Sequence, residues 1–263
     1  MAHDVNKIYD WGILGCGWLG SAWGNHCQKS AKTAWGSARR PEALADLKAV
    51  GINPIAFDSK GQLPLAWPPC RHLLVALPPS AGTDAFKLAA EMSKASKWTV
   101  LISSSSVYPE EDGLYNEGDA VRRISPHSGA CILDLETLFD SQNTTILRAG
   151  GLFGPGRHPG GFLGNRPLSK PIDPVNVVHL DDVLGAIEYT SHNMLSGAFN
   201  LVAPELISRV EFYSAAGALS LPKQSNTRAQ GRRVLSDRII KHGYRFLHPN
   251  AARAASEMAK FNP

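Results

Sequence analysis

Short apolar runs alternating with helix-length amphipathic segments predict an α/β chain, a doubly wound parallel sheet with helices on both faces. Two observations carry that prediction. The apolar runs are continuous rather than alternating, as in strands buried on both faces. The segments between them are long enough for right-handed helical crossovers. At 263 residues the chain is long enough for one or two domains with a sizeable core.

The elements follow in order. Trp11 to Leu14 is an apolar run that stops at Gly15, and Ser21 to Lys29 reads as the first helix. Ala34 to Ala38 is a second strand, and Pro41 opens a helix running to Leu47, with proline where a helix tolerates it. Ile52 to Phe57 is a third strand and His72 to Leu77 a fourth, cut off by Pro78-Pro79. Asp84 to Ser93 has helical spacing, Trp98 to Ile102 is a fifth strand, Ala130 to Phe139 is helical, and Thr144 to Arg148 is a sixth strand. Gly150 to Gly164, rich in Gly and Pro, reads as a long loop of the kind that carries binding groups. Pro174 to Leu180 is a strand, Asp181-Asp182 are placed to cap a helix from Val183 to Ser191, and Ala198 to Val202 is a strand. Glu211 to Leu219 and Ser236 to His242 read as helices.

Composition excludes several classes. Gly (24) and Pro (18) indicate many turns, while 43% hydrophobic residues exclude a disordered chain. The net charge of +4 is mild and its arginines are scattered, with pairs at Arg39-Arg40, Arg122-Arg123 and Arg232-Arg233, so no nucleic-acid partner is expected. No apolar run is long enough to span a membrane. Cys16, Cys27, Cys70 and Cys131 show no C-x-x-C or zinc spacing, so no metal is expected. Met1 to Asp10 has no apolar core, and a cytoplasmic protein is expected.

The first strand ends in Gly15-Cys16-Gly17-Trp18-Leu19-Gly20, a G-x-G-x-x-G between strand and helix. Such a loop makes a tight turn, lets the backbone approach a pyrophosphate, and packs helix closely on strand. The free N–H groups of the helix start then face the phosphates. A Rossmann-type dinucleotide domain is the fold this predicts. The second strand ends in Ser37-Ala38-Arg39-Arg40, with no carboxylate for a ribose 2′-hydroxyl. A guanidinium matches a 2′-phosphate in charge and fork geometry, so NADP is favoured and NAD is the second choice. Asp58, closing the third strand, is in range of the adenine.

With these residues in view, the chain resembles the extended short-chain dehydrogenase/reductases, in their atypical, NAD-dependent epimerase/dehydratase-like branch. The resemblance rests on motifs in order: the glycine loop, Ala76-Leu77-Pro78-Pro79, Ile102 to Tyr108 (ISSSSVY), Leu147 to Arg157 (LRAGGLFGPGR), Val175 to Val183 (VNVVHLDDV) and Gly243 to Phe246 (GYRF). It implies that Ala76, Leu77, Pro78 and Ser103 line the cofactor beside Trp18 and Leu19. It implies that Ser104 hydrogen-bonds the reacting oxygen, and that Ser105, His127, Gly151, Arg157 and Asn176 face a small-molecule substrate. It further implies a nucleotide domain over 1–154 and a smaller lobe over 155–263, with 175–203 returning to the main sheet, in a monomer or homodimer.

The pattern breaks at the family's Tyr-x-x-x-Lys. Glu136 marks the register, which puts Ser128 at the Tyr position and Ile132 at the Lys position. A serine is a far weaker acid than a tyrosine, and isoleucine has no charge to lower a neighbour's pKa. The glycine loop departs too: Leu14 stands where the family's first glycine falls. Two readings stay open. One is an NADP-dependent reductase or epimerase-like enzyme in which Ser128, His127 or His179 handles the proton. The other is a non-catalytic NADP(H)-binding redox sensor or regulatory module.

Overall fold

A computed structural model describes residues 7–58, 67–125, 128–164, 166–218 and 231–261. The first half alternates strand and helix: β1 (Tyr9–Leu14), α1 (Trp18–Lys29), β2 (Ala34–Ala38), α2 (Pro41–Ala49), β3 (Asn53–Ala56), β4 (Cys70–Val75), α3 (Thr83–Lys94) and β5 (Trp98–Ser104). The short β6 (Gly113–Tyr115) follows, then α4 (Ile132–Glu136), β7 (Thr144–Ala149), β8 (Gly151–Phe153), β9 (Val177–His179), α5 (Leu180–His192) and β10 (Gly197–Leu201). The chain closes with α6 (Arg209–Ala215), β11 (Arg232–Val234), α7 (Asp237–Lys241) and α8 (Ala251–Phe261).

Seven strands form one sheet in the order β10-β7-β5-β4-β1-β2-β3. β1 pairs in parallel with both β2 and β4, which places the reversal of strand order between β1 and β4. In open α/β sheets that switch point opens a crevice outside the carboxyl ends of the strands. The apolar runs are buried as their continuity predicts: Ile13, Leu14, Leu73, Leu74, Val75 and Val100 have no accessible surface. On α3, Ala85, Phe86, Ala89 and Ala90 form a buried stripe in the same cluster as Leu14, Trp35, Leu73, Val75 and Leu101.

The chain divides into two compact units drawn from interleaved segments. The first holds Met1–Ser103, Arg122–Leu147 and Ile187–Ala198; the second holds Ser104–Val121, Arg148–Ala186 and Phe199–Pro263. The second has its own core, where Phe153, Val177, Phe212, Ala251, Ala254 and Ala255 cluster. Two small parallel sheets, β8 with β9 and β6 with β11, belong to it.

Several expectations need correction. The stretch from Gly150 is not all loop, since β8 pairs with β9. A Cβ on Gly150 would lie 2.6 Å from the Asn176 carbonyl oxygen, so this glycine serves close strand approach rather than a turn. Of 175–203, only β10 joins the main sheet, while β9 pairs outside it. The helix expected from Val183 begins at Leu180, and Asp181 and Asp182 lie inside its first turn. Its cap is His179, whose Nδ1 accepts from the Asp181 amide at 3.2 Å. α4 is shorter than the expected 130–139.

Candidate functional site

Three glycines shape the turn from β1 into α1, and each answers to a different constraint. Gly15 has φ +92°, and a Cβ there would lie 2.8 Å from the Ala76 carbonyl oxygen. Gly20, inside α1, would bring a Cβ to 2.3 Å from the Gly15 carbonyl oxygen. These two are required by the turn and by helix–strand packing. Gly17 is required by neither. It caps α1 with φ −80° and ψ −155°, open to any residue, and an added Cβ would meet nothing within 4 Å. The missing side chain leaves space directly over the start of α1. No side chain caps that helix start and no acid sits in its first turn, so its N–H groups face outward into a positive potential.

The end of β2 fixes the loop in place. The Gly15 amide donates to Ser37 Oγ at 2.9 Å, and the Cys16 amide donates to the Ser37 carbonyl at 2.7 Å. A cleft of about 490 Å³ opens there, lined by Gly15, Cys16, Gly17, Arg39, Arg40 and Asp58 together with Leu77 and Pro78 from the end of β4. Arg39 and Arg40 are exposed, and among the described residues neither guanidinium is engaged by another side chain. Ala76, Trp18 and Leu19 adjoin this rim: the Ala76 amide donates to the Leu14 carbonyl, and Trp18 and Leu19 open α1. Burial pushes the Cys16 thiol up to about 12, which keeps it protonated and unreactive.

Two further hydroxyls of the expected site lie elsewhere in the first unit. Ser103 donates to the buried Glu136 carboxylate at 2.5 Å. Ser128 is different: its Oγ is buried and has no hydrogen-bond partner among the described residues. Ile132, four residues on, is buried. His127 lies outside the described residues.

In the second unit the expected substrate residues are tied down. Ser104 accepts from the Ser106 amide and shares a hydrogen bond with its hydroxyl, and Ser105 is buried. Asn176 is used at both ends, donating to the Arg232 carbonyl and accepting from the Val234 amide, each at 2.8 Å. Gly151 sits in β8 opposite Val177. Arg157 is exposed, its guanidinium near the Phe162 ring. His179 is 5% exposed, and burial, with help from the neighbouring His248, holds its ring neutral. Tyr108 donates to Asn200 Oδ1 at 2.6 Å and accepts from Arg148 at 3.1 Å, and burial raises its pKa.

No family model matches the chain. Protein YeeZ of Escherichia coli (strain K12) is 32% identical over 161 residues, a stretch that spans 57% of this chain and 58% of YeeZ. Among solved structures, a conserved protein of unknown function from Silicibacter pomeroyi superposes with a TM-score of 0.75 at 20% identity, over 97% of this chain and 99% of that one. The human epimerase family protein SDR39U1, solved with NADPH, gives 0.70 at 18% identity, over 95% of this chain and 99% of that one. Vestitone reductase from alfalfa gives 0.71 at 15% identity, over 95% of this chain and 97% of that one. The chain shares the Rossmann-type α/β fold of these structures.

Within that fold the sequence motifs fall where strand ends meet helix starts. Sequence reasoning missed Ser37, Phe57, Ser80 and Ala81, which also line the cleft. Ser37 had a legible signal, since a hydroxyl at the end of the second strand is suited to hold a neighbouring glycine turn. The partners of Asn176 had none, because they come from residues more than fifty positions away. Among the described residues no helix is long and apolar enough to cross a membrane.

Proposed function

We propose that this chain binds NADP(H) at the glycine-loop cleft and acts as a reductase or epimerase-like enzyme on a small-molecule substrate. The observation that carries the reading is Gly17. The fold does not need a glycine there, whereas a diphosphate lying against the helix start does. Gly15, Gly17 and the opening amides of α1 would hold the diphosphate, and Arg39 and Arg40 the 2′-phosphate. Asp58 would stand near the adenine, with Ala76, Leu77 and Pro78 along the chain of the dinucleotide. The cofactor, when bound, supplies hydride transfer. Ser103 would line the cofactor, while Ser104, already hydrogen-bonded to Ser106, is kept out of the reacting set. Ser128 has a buried hydroxyl with no hydrogen-bond partner among the described residues, and it would meet the substrate where the fold's usual tyrosine is lacking. His179 already caps a helix and is held neutral, so we keep it out of the proton-handling set. NADPH in the human SDR39U1 structure supports the cofactor class.

A second reading, a nucleotide-binding sensor without catalysis, is favoured by buried Ile132, since no cation stands where the lysine would. Both readings share one test. Calorimetric titration should show NADPH binding more tightly than NADH. Arg39→Ala should weaken NADPH by about tenfold to a hundredfold, the effect of losing a charge-assisted hydrogen bond of about 1.5–3 kcal/mol, and should leave NADH unchanged. No binding of either nucleotide overturns both readings. NADPH oxidation in a carbonyl and imine screen that Ser128→Ala abolishes selects the enzyme.

A further inference from the structure

One cluster of ligating side chains lies outside the cleft and has no part in the reading above. His179 ends β9, Asp181 sits in the first turn of α5, and His248 lies in the segment before α8. Asp181 Oδ2 is 3.5 Å from His179 Nδ1 and 3.4 Å from His248 Nε2. The two imidazole centroids are 4.1 Å apart, and the three ligand atoms all lie within 4.8 Å of one another.

These distances are long for hydrogen bonds between imidazole and carboxylate, which close to about 2.7–2.9 Å. The two distances from Asp181 also suit the edges of a tetrahedron. Ligands about 2.0–2.2 Å from a zinc ion stand about 3.3–3.6 Å from one another. The electrostatics agree. His179 Nδ1 accepts from the Asp181 amide, so it bears a lone pair rather than a proton. That lone pair and the Asp181 carboxylate oxygen are two acceptors side by side, an arrangement a shared cation relieves. The ion would take over the lone pair now used by the amide, exchanging one neutral hydrogen bond for three coordination bonds.

The surroundings hold the three groups in position. The His179 ring packs edge-on against Phe153 at 5.2 Å, and His179 pairs with Phe153 in the β8–β9 ladder. The fully buried Asp182 carboxylate accepts from the Leu247 amide at 2.6 Å and the His248 amide at 3.1 Å, which fixes the segment bearing His248. The Tyr244 hydroxyl donates to the Asp182 carbonyl at 2.6 Å. Supporting hydrogen bonds of this kind orient ligands in metal sites. The start of α5 opposes a cation with roughly half a charge, but Asp181 sets a carboxylate against it, and Glu257 adds to its pull on His179.

We propose that His179, Asp181 and His248 bind a divalent transition-metal ion of the zinc class, with the remaining coordination position open to solvent. Two imidazoles and one carboxylate form a donor set that suits such an ion. The expected result is uptake of one zinc per untagged chain in equilibrium dialysis against zinc chloride, counted by elemental mass spectrometry. His248→Ala and Asp181→Asn should each weaken that uptake by more than tenfold, and His192→Ala should leave it unchanged. Cobalt(II) added to the wild type should broaden the imidazole NMR signals of His179 and His248 selectively, a readout that needs no variant to fold. Failure to take up stoichiometric zinc, uptake indifferent to His248→Ala, or broadening confined to other histidines overturns the proposal. None of these outcomes touches nucleotide binding, so this proposal and the cofactor reading fail separately.

Discussion

The two compact units treat their polar groups in opposite ways. In the first unit, several groups have nothing to bind among the described residues: Gly17 over open space, the exposed Arg39 and Arg40, and, elsewhere in the unit, the buried hydroxyl of Ser128. In the second, the polar residues of the family-like motifs are occupied. Asn176 clamps β11, and Tyr108 and Arg148 form a buried network with Asn200. A motif residue can therefore sit in the right place for one of two reasons. Where its hydrogen bonds are already made by the protein, its type is explained by the fold, and where they are not, a ligand is the remaining explanation.

Variants can break or sharpen that contrast. The largest effect should come from Arg148→Ala, which takes one partner from Tyr108 and the side-chain donor from the Glu117 carbonyl and leaves a cavity. About 3 kcal/mol of stability should be lost in urea unfolding, and a loss under 1 kcal/mol would mean the network is less tied than its geometry. Next is the pair Gly20→Ala and Gly17→Ala. Gly20→Ala forces a Cβ against the Gly15 carbonyl and should cost about 2 kcal/mol. Gly17→Ala should change stability by less than about 1 kcal/mol, the scale of a cap exchange, while weakening NADPH at least tenfold. If instead Gly17→Ala destabilises the chain and spares NADPH, the contrast collapses.

Asn176→Ala removes two bonds to β11 and should lower stability by about 2 kcal/mol, whatever its effect on turnover. The smallest effect concerns His72, whose ring stacks on Trp11 and whose pKa burial holds below the usual 6.5. The unfolded chain then takes up this proton more readily than the folded one, so stability should fall as pH drops below 6.5. His72→Asn should flatten that slope by less than about 1 kcal/mol per pH unit, measured by thermal midpoints between pH 7 and 5.

The sequence was most legible where structure is local. The glycine loop, the Pro41 helix start and the apolar strands all read correctly because their determinants lie within a few residues. Ser37 was within reach but was read only as the approach to Arg39. α8 was missed, although Ala251, Ala254 and Ala255 repeat at helical spacing, because alanine is a weak apolar signal. β6 and β11, three residues each, are too short to show a period. The clamp at Asn176 and the His179–Asp181–His248 cluster join distant segments, and no spacing rule reaches them.

The strand order has a consequence for synthesis. β5 is flanked by β4 and β7, and β7 is flanked by β10. A ribosome completing β5 at Ser104 has still to make β7 at Thr144 and β10 at Gly197. During that interval the nascent sheet exposes a bare apolar edge, first along β5 and then along β7, open to pairing with another chain. Slow decoding between residues 104 and 197 would prolong that exposure, and chaperone cover would matter most there.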